Sequence, residues 1–220
     1  MKVPVVQRIL KANDQIALEN QRQFEAAGVS ALNLMASPGA GKTSLILASV
    51  SHLSELKVGV IEGDVASTID ADRIAFAGIP VVQVNTGGAC HLDAPMVRSA
   101  LEQFPLKGLN LIFIENVGNL VCPANFRLGT HFSVVVSSVP EGHDKPYKYP
   151  GIFTGADAVL LNKVDLLPYF DFDLDYFHRG LEILRKDIPF FLISCRTGEG
   201  IEEWGRWLVQ RCKNSHYSGG

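Results

Sequence analysis

The chain is poor in cysteine. Its four residues, Cys90, Cys122, Cys195 and Cys212, are widely spread and include no C-x-x-C pair. A disulfide framework of the kind that staples small secreted domains is therefore excluded, and metal ligation becomes the more natural thiol chemistry. An excess of positive charge is also missing: 20 Lys and Arg face 23 Asp and Glu, for a net charge of -3. Without a basic footprint, nucleic acid is not an expected partner. No apolar run approaches the roughly 20 residues needed to cross a bilayer. Met1-Lys2-Val3-Pro4 leads into Asn13, Asp14 and Gln15 rather than into a signal-type apolar core. A cytoplasmic location with no membrane partner is the expectation. No internal repeat is visible.

What the chain does contain is enough apolar sequence for a real core. With 220 residues, 47% hydrophobic and 20% charged, it fits one domain spanning 1–220. Apolar strand candidates recur at 31–36, 57–61, 80–84, 110–114, 132–137, 158–161 and 190–193, separated by segments able to hold helices. This alternation predicts an α/β fold, three layers with a mostly parallel sheet flanked by helices. Leu111-Ile112-Phe113-Ile114 and Val134-Val135-Val136 are continuously apolar, as strands buried on both faces must be. Residues 5–27 read as an amphipathic helix ended by Gly28, residues 214–220 as a frayed tail, and Pro140 to Pro150 as a long loop.

Ala36-Ser37-Pro38-Gly39-Ala40-Gly41-Lys42-Thr43 lies between the first strand and a helical segment from Ser44 to Leu53. A phosphate-binding loop needs this order: backbone N–H groups cradle phosphates, a lysine reaches the β and γ oxygens, a Thr hydroxyl ligates Mg²⁺, and the helix contributes its positive end. Pro38, Gly39, Ala40, Gly41, Lys42, Thr43 and Ser44 are thus nucleotide-binding candidates in a P-loop NTPase fold. One departure is visible, since the G-x-x-x-x-G-K-[ST] pattern asks for glycine where the chain has Ala36. Context carries the match.

Asn162-Lys163-Val164-Asp165 follows the apolar strand 158–161, at a carboxyl end of the sheet where ligands of open α/β folds bind. Asp165 can accept from N1–H and the 2-amino group of guanine, whereas adenine offers neither donor. Recognition of that kind discriminates by up to about four or five powers of ten. GTP is favoured over ATP. Lys163 can lay its stem along the base, Asn162 can tie this loop to the phosphate loop, and Ser194, Cys195 and Arg196 resemble the S-A-K segment that completes many guanine pockets.

Acidic residues close two further strands. Glu115-Asn116-Val117-Gly118 has the D-x-x-G form of a γ-phosphate sensor with glutamate in first place, so Glu115 and Thr43 are Mg²⁺ candidates and the Gly118 N–H can meet the γ-phosphate. Asp64 is a candidate on the Mg²⁺ side or for orienting water. Lys42, Asp64, Glu115 and Gly118 form the expected catalytic set, for in-line attack of water with GDP and phosphate as products. Asp70 and Asp72 read better as a charged helix start.

The last constellation is thiol-based. Asp93 is an N-cap candidate and Pro95 suits a first helical turn, which leaves Cys90 and His91 in a loop. Cys122 follows Glu115 by seven residues. If the two loops share a sheet edge, two thiolates and one imidazole converge, a set suited to Zn²⁺ and acceptable to Ni²⁺. Structural cysteines and a helix-flanking histidine are the competing reading. Three donors fall short of the four of a closed structural zinc site, which suggests an open position or completion by a two-fold mate. His52, His131, His143, His178 and His216 show no ligand spacing and read as surface or packing residues; Cys212 reads as packing on the last helix.

Taken together, S-P-G-A-G-K-T at 37–43, I-E-G-D at 61–64, T-G-G-A-C-H-L-D-A at 86–94, I-E-N-V-G-N-L-V-C-P-A at 114–124, P-E-G-H-D-K-P at 140–146, N-K-V-D at 162–165 and T-G-E-G at 197–200 resemble the HypB family of GTPases. That family helps deliver nickel to [NiFe]-hydrogenase. The resemblance spans about residues 5–212 and accounts for both Ala36 and Glu115. It implies slow GTP hydrolysis, a homodimer around nucleotide, and a Zn²⁺ or Ni²⁺ site at Cys90, His91 and Cys122 in the switch region. It further implies a HypA-type nickel chaperone as partner and, indirectly, a hydrogenase large-subunit precursor. The N-terminal C-x-x-C-G-C motif and the histidine-rich stretch of some members are not present, so N-terminal nickel binding and storage are not expected. The rivals are a urease-type nickel GTPase, whose usual C-P-H motif is replaced here by Cys90-His91, a regulatory GTPase with incidental metal, and an ATP-dependent small-molecule kinase.

Overall fold

The computed structural model describes residues 5–215. Seven strands, β1 Ser30–Ala36, β2 Val58–Asp64, β3 Val81–Asn85, β4 Leu111–Glu115, β5 Phe132–Ser138, β6 Ala158–Asn162 and β7 Phe190–Leu192, form one sheet in the order β3-β2-β4-β1-β5-β6-β7. Every pairing is parallel, so each connection must cross a face, and helices cover both. They are α1 Val5–Ala27, α2 Lys42–Val50, α3 Ile69–Phe76, α4 Ala94–Gln103, α5 Lys145–Lys148, α6 Pro150–Thr154, α7 Leu174–Leu184 and α8 Ile201–Ser215.

Strand alternation sorts the core into two layers. Leu32, Leu34 and Ala36 of β1 pack with Leu45 and Ile46 of α2, Ile74 of α3, and Trp204 and Leu208 of α8. On the opposite face Ala31 lies with Phe24 of α1 and Val97 and Leu101 of α4, while Met35 lies with Ile152 of α6 and Phe177 and Leu181 of α7. The central β1 is buried throughout, which explains why its sequence has no solvent-facing pattern.

Two local expectations change. The segment 140–150 is not an open loop: Pro146 and Pro150 occupy first turns of the short helices α5 and α6, where a missing N–H costs nothing. Tyr147 anchors α5 by donating to the Tyr176 carbonyl at 3.0 Å. At the other end α8 continues through Asn214 to Ser215, whose hydroxyl meets that of Ser30 at 2.6 Å; the remainder of the tail expected to fray, with His216, lies outside the described residues.

Candidate functional site

The carboxyl ends of β1, β2, β4 and β6 meet where the strand order reverses about β1, the position at which open α/β sheets bind ligands. The phosphate loop leaves β1 after Ala36. That residue is fully buried in the core and its carbonyl accepts from Asn119 at 2.8 Å. Ala36 is thus still strand, and the tight turn begins after it. Gly41, by contrast, has φ 102° and a Cβ there would strike the Asn162 amide. Glycine is required by both conformation and space.

Asn162 is almost fully buried and is the joint of the base loop. Its amide nitrogen donates to the Ala40 carbonyl at 2.9 Å, and its oxygen accepts from the Lys163 and Cys195 N–H groups at 2.8 and 3.2 Å. Lys163, left-handed at φ 64°, sends its ammonium to the Gly39 carbonyl at 2.7 Å. The Ser194 hydroxyl donates to Asp165 Oδ1 at 2.7 Å, holding the carboxylate toward a cleft of about 410 Å³. Gly41, Ser44, Asn162, Lys163, Asp165, Ser194, Cys195 and Arg196 line this cleft. Burial pushes the Cys195 thiol up to about 11, so it stays protonated beside the cleft.

On the phosphate side, Thr43 Oγ1 donates to Glu115 Oε1 at 2.8 Å. Glu115 faces Glu62 across the β2–β4 ladder, and both are nearly inaccessible, at 3% and 2%. Burial, helped by the charge of Glu115 and opposed by Lys42, raises Glu62 to about 8; burial, opposed by Lys42 and the Thr43 hydrogen bond, raises Glu115 to about 7. One oxygen of each carboxylate has no hydrogen-bond partner. Two buried carboxylates, each with an unpartnered oxygen beside a phosphate loop, form an arrangement that a divalent cation would complete. Hard oxygen donors and the Thr43 hydroxyl fit Mg²⁺.

Glu62 was not singled out as a site residue from sequence. Its signal is an acid inside a strand that is otherwise apolar and buried. Asp64, one pleat further, has its Oδ1 engaged by the Ala66 and Ser67 N–H groups at 2.9 and 2.7 Å. These bonds hold its carboxyl below the usual range and shape the entry to α3, where Asp70 and Asp72 occupy the first turn.

Gly118 passes so close to the phosphate loop that a Cβ would lie 2.9 Å from the Pro38 backbone. Between it and Glu115 stands Asn116, fully buried and a second residue not singled out from sequence. Its oxygen accepts from Leu92 N–H at 2.9 Å and Val117 N–H at 3.0 Å, and its amide donates to Asn33 at 3.1 Å. One side chain therefore clamps the loop carrying Cys90 and His91 to the Glu115–Gly118 segment. Asn119 shapes the other donor loop by accepting from the Val121 and Cys122 N–H groups at 2.7 and 3.3 Å.

With both loops held, ligand atoms of Cys90, His91 and Cys122 lie within 4.8 Å of one another. Cys90 is exposed and Cys122 half-buried; the His91 ring packs at a tilt against Phe126, centroids 4.0 Å apart. Burial, opposed by the charge of Asp93, lowers the His91 pKa, which favours the neutral imidazole that metals require. The hydrogen bond with Cys90 raises the Cys122 thiol. The remaining described histidines serve structure: His131 accepts from Ala31 N–H at 2.9 Å, His143 accepts from Asp173 N–H at 3.0 Å, and His178 stacks on Phe190. His52 packs its Cβ over Gly205.

Fold and site together define a P-loop nucleotide-binding protein with two thiols and an imidazole gathered beside the Glu115–Gly118 segment. Residues 30–191 match the family described as CobW/HypB/UreG, nucleotide-binding domain. The chain is 50% identical over 212 residues to the hydrogenase maturation factor HypB of Azotobacter chroococcum mcd 1, covering 95% of this chain and 69% of that protein. It is 47% identical over 206 residues to that of Escherichia coli (strain K12), covering 93% and 71%. The crystal structure of HypB from Helicobacter pylori in complex with nickel superposes with a TM-score of 0.89 at 36% identity, covering 93% of this chain and 97% of that one. The chain belongs to the HypB hydrogenase maturation factors. Among the described residues no helix is long and apolar enough to cross a membrane.

Proposed function

We propose that this chain is a single-domain, cytoplasmic GTPase that handles nickel for the maturation of [NiFe]-hydrogenase, binding and passing on the metal as its nucleotide state and dimerisation change. The observation that carries this reading is one continuous connection. Thr43 of the phosphate loop bonds Glu115, Glu115 leads through Gly118 to Cys122 in seven residues, and Asn116 holds the Cys90–His91 loop against the same segment. Nucleotide state at the loop and donor geometry at the triad are thereby alternatives of one mechanical element.

GTP rather than ATP is the substrate in this reading, because the Asp165 carboxylate, aligned by Ser194, suits the two donors of guanine. Lys42 and the Gly118 N–H neutralise and align the γ-phosphate for in-line attack by water, with Asp64 at the entrance to the switch segment. Mg²⁺ would be held by Thr43, Glu115 and Glu62, and would supply charge neutralisation to the phosphates. Ni²⁺ is cargo, taken by Cys90, His91 and Cys122, with Zn²⁺ compatible with the same donors. Three donors leave a position for a second copy of the chain, for a HypA-type nickel chaperone or, downstream, for the hydrogenase large-subunit precursor.

The relatives at 47–50% identity are named for hydrogenase alone, whereas those of Helicobacter hepaticus and Helicobacter pylori, at 39% and 36%, are named for hydrogenase and urease. That favours a hydrogenase client. The test is Ni²⁺ and Zn²⁺ affinity measured with GDP and with a non-hydrolysable GTP analogue. The coupling predicts different affinities in the two states; equal affinities overturn it. Unchanged nickel binding in Cys90→Ala and Cys122→Ala would favour a plain nucleotide switch.

A further inference from the structure

Cys90 Sγ and Cys122 Sγ stand 3.0 Å apart, the Cys90 thiol donating to Cys122. Two thiolates sharing one tetrahedral ion, at bond lengths of about 2.3 Å, would sit roughly 3.8 Å apart. These sulfurs are closer than a shared metal holds them and about 1 Å from covalent bonding distance. Both thiols are free, one exposed and one half-buried, whereas Cys195 borders the base cleft and Cys212 is buried on α8. Cys90 lies in a loop and Cys122 opens a short 3-10 turn, so small movements of exposed segments suffice to close the gap.

We propose that Cys90 and Cys122 form a reversible intrachain disulfide, which makes the donor triad a redox-gated site. The bond follows from the thiol geometry alone; its effect on nickel rests on the function proposed above. The Cys90 thiolate attacks a low-molecular-weight disulfide such as oxidised glutathione, breaking its S–S bond and releasing one glutathione. The Cys122 thiolate then attacks Cys90 Sγ in the mixed disulfide and releases the second. Two protein thiols and one glutathione disulfide become one protein disulfide and two glutathione thiols. Two electrons pass from the cysteine sulfurs to glutathione, and the two thiol protons end on the released glutathiones. An exposed bond of this kind belongs to the labile, reducible class. While it exists, the triad retains only His91 as a strong donor. The bond also ties the loop after β3 to the loop after β4, across 32 residues, restraining the segment that leads back to Gly118.

The experiment uses the full, metal-free chain incubated with excess oxidised glutathione, followed by intact mass, thiol counting, non-reducing peptide mapping and Ni²⁺ titration. The expected result is loss of the mass of two hydrogens and a linked pair of peptides containing Cys90 and Cys122. Ni²⁺ affinity should weaken by at least about a hundredfold, with full recovery after dithiothreitol. Cys90→Ser and Cys122→Ser should each retain glutathione on the remaining thiol instead of expelling it. Prior loading with Ni²⁺ or Zn²⁺ should slow the reaction. Four free thiols after treatment, stable glutathione adducts on the parent chain, or a bond only between two chains would overturn the proposal. A Cys90–Cys122 bond with nickel affinity unchanged would overturn the gate and place the fault in the metal assignment. Failure of the reduced chain to bind nickel would count against the function rather than the disulfide.

Discussion

The Thr43 hydroxyl donates to Glu115 Oε1 at 2.8 Å, although the residues are 72 apart in the chain. This bond joins the first turn of α2 to the end of β4, and so joins the phosphate loop to the segment that runs on to Cys122. In the reading proposed above, Thr43 and Glu115 are residues that would hold Mg²⁺, and the ion would supply the charge that their hydrogen bond lacks. The same bond places the loop, the end of β4 and the segment leading to Cys122 in one connected unit.

Replacing Asp165 by Asn should cost guanine recognition while leaving the fold intact, because Asp165 is half-exposed and its one structural partner, Ser194, can still donate to an amide oxygen. The preference for GTP over ATP is expected to fall by at least about a hundredfold. Competition binding with both nucleotides measures this; an unchanged ratio would remove Asp165 from the base site.

A methyl group at Gly118 meets the Pro38 backbone at 2.9 Å, and neither partner is a flexible side-chain end. Gly118→Ala should therefore push the γ-phosphate segment off the loop. GTP turnover is expected to drop by about ten- to a hundredfold, as misplacement on the order of 1 Å costs. GDP affinity should change little, since GDP has no γ-phosphate to sense. Single-turnover hydrolysis and GDP titration together test the distinction.

Glu62, at about 8, and Glu115, at about 7, both lie above the ordinary carboxyl value of 4.5. In the metal-free protein the folded state therefore holds more protons than the unfolded one between those limits, and stability must fall as pH rises. The contribution is fully present below about pH 4.5 and lost through pH 7–8. Glu62→Gln should flatten this slope and stabilise the metal-free chain at pH 8 by on the order of 2–4 kcal/mol. Urea unfolding from pH 5.5 to 8.5 checks it, and a slope unaltered by the substitution would count against the buried pair. Mg²⁺ with nucleotide should reverse the trend in the parent and less so in the variant.

Trp204 is fully buried, stacks on Trp207 at 5.3 Å and donates its indole N–H to Ser49 at 2.9 Å. This pins α8 to α2, the helix that follows the phosphate loop. Trp204→Ala should lower stability by about 3–5 kcal/mol. Denaturant midpoints measure the loss, and nucleotide affinity should weaken with it as α2 loosens.

Much of this was legible in the order of residues. The strands announced themselves because a parallel sheet buried on both faces demands continuous apolar runs, and Leu111 to Ile114 is such a run. Loop, base motif and Cys122 segment follow strand ends because side chains at the carboxyl edge of such a sheet face one crevice. Asp93 as the cap of α4, accepting from Met96 N–H at 2.9 Å, is likewise a local decision. Short segments rich in proline misled, since 140–150 looks like a loop until Tyr147 finds Tyr176.

Tertiary structure decided the rest. No spacing rule brings Glu62 opposite Glu115; the β2–β4 register does, and burial then turns two ordinary acids into a raised pair, each with an unpartnered oxygen. Asn116 looks like the second letter of a motif, yet the fold makes it the clamp between the Cys90 loop and the Glu115–Gly118 segment. Nor does sequence say how near Cys90 comes to Cys122, since that separation belongs to two loops on different strands. Local pattern by itself determined which elements form and which chemical groups they carry. Only long-range packing determined which of those groups come within reach of one another and which are desolvated, because desolvation and distance exist only once the chain is folded.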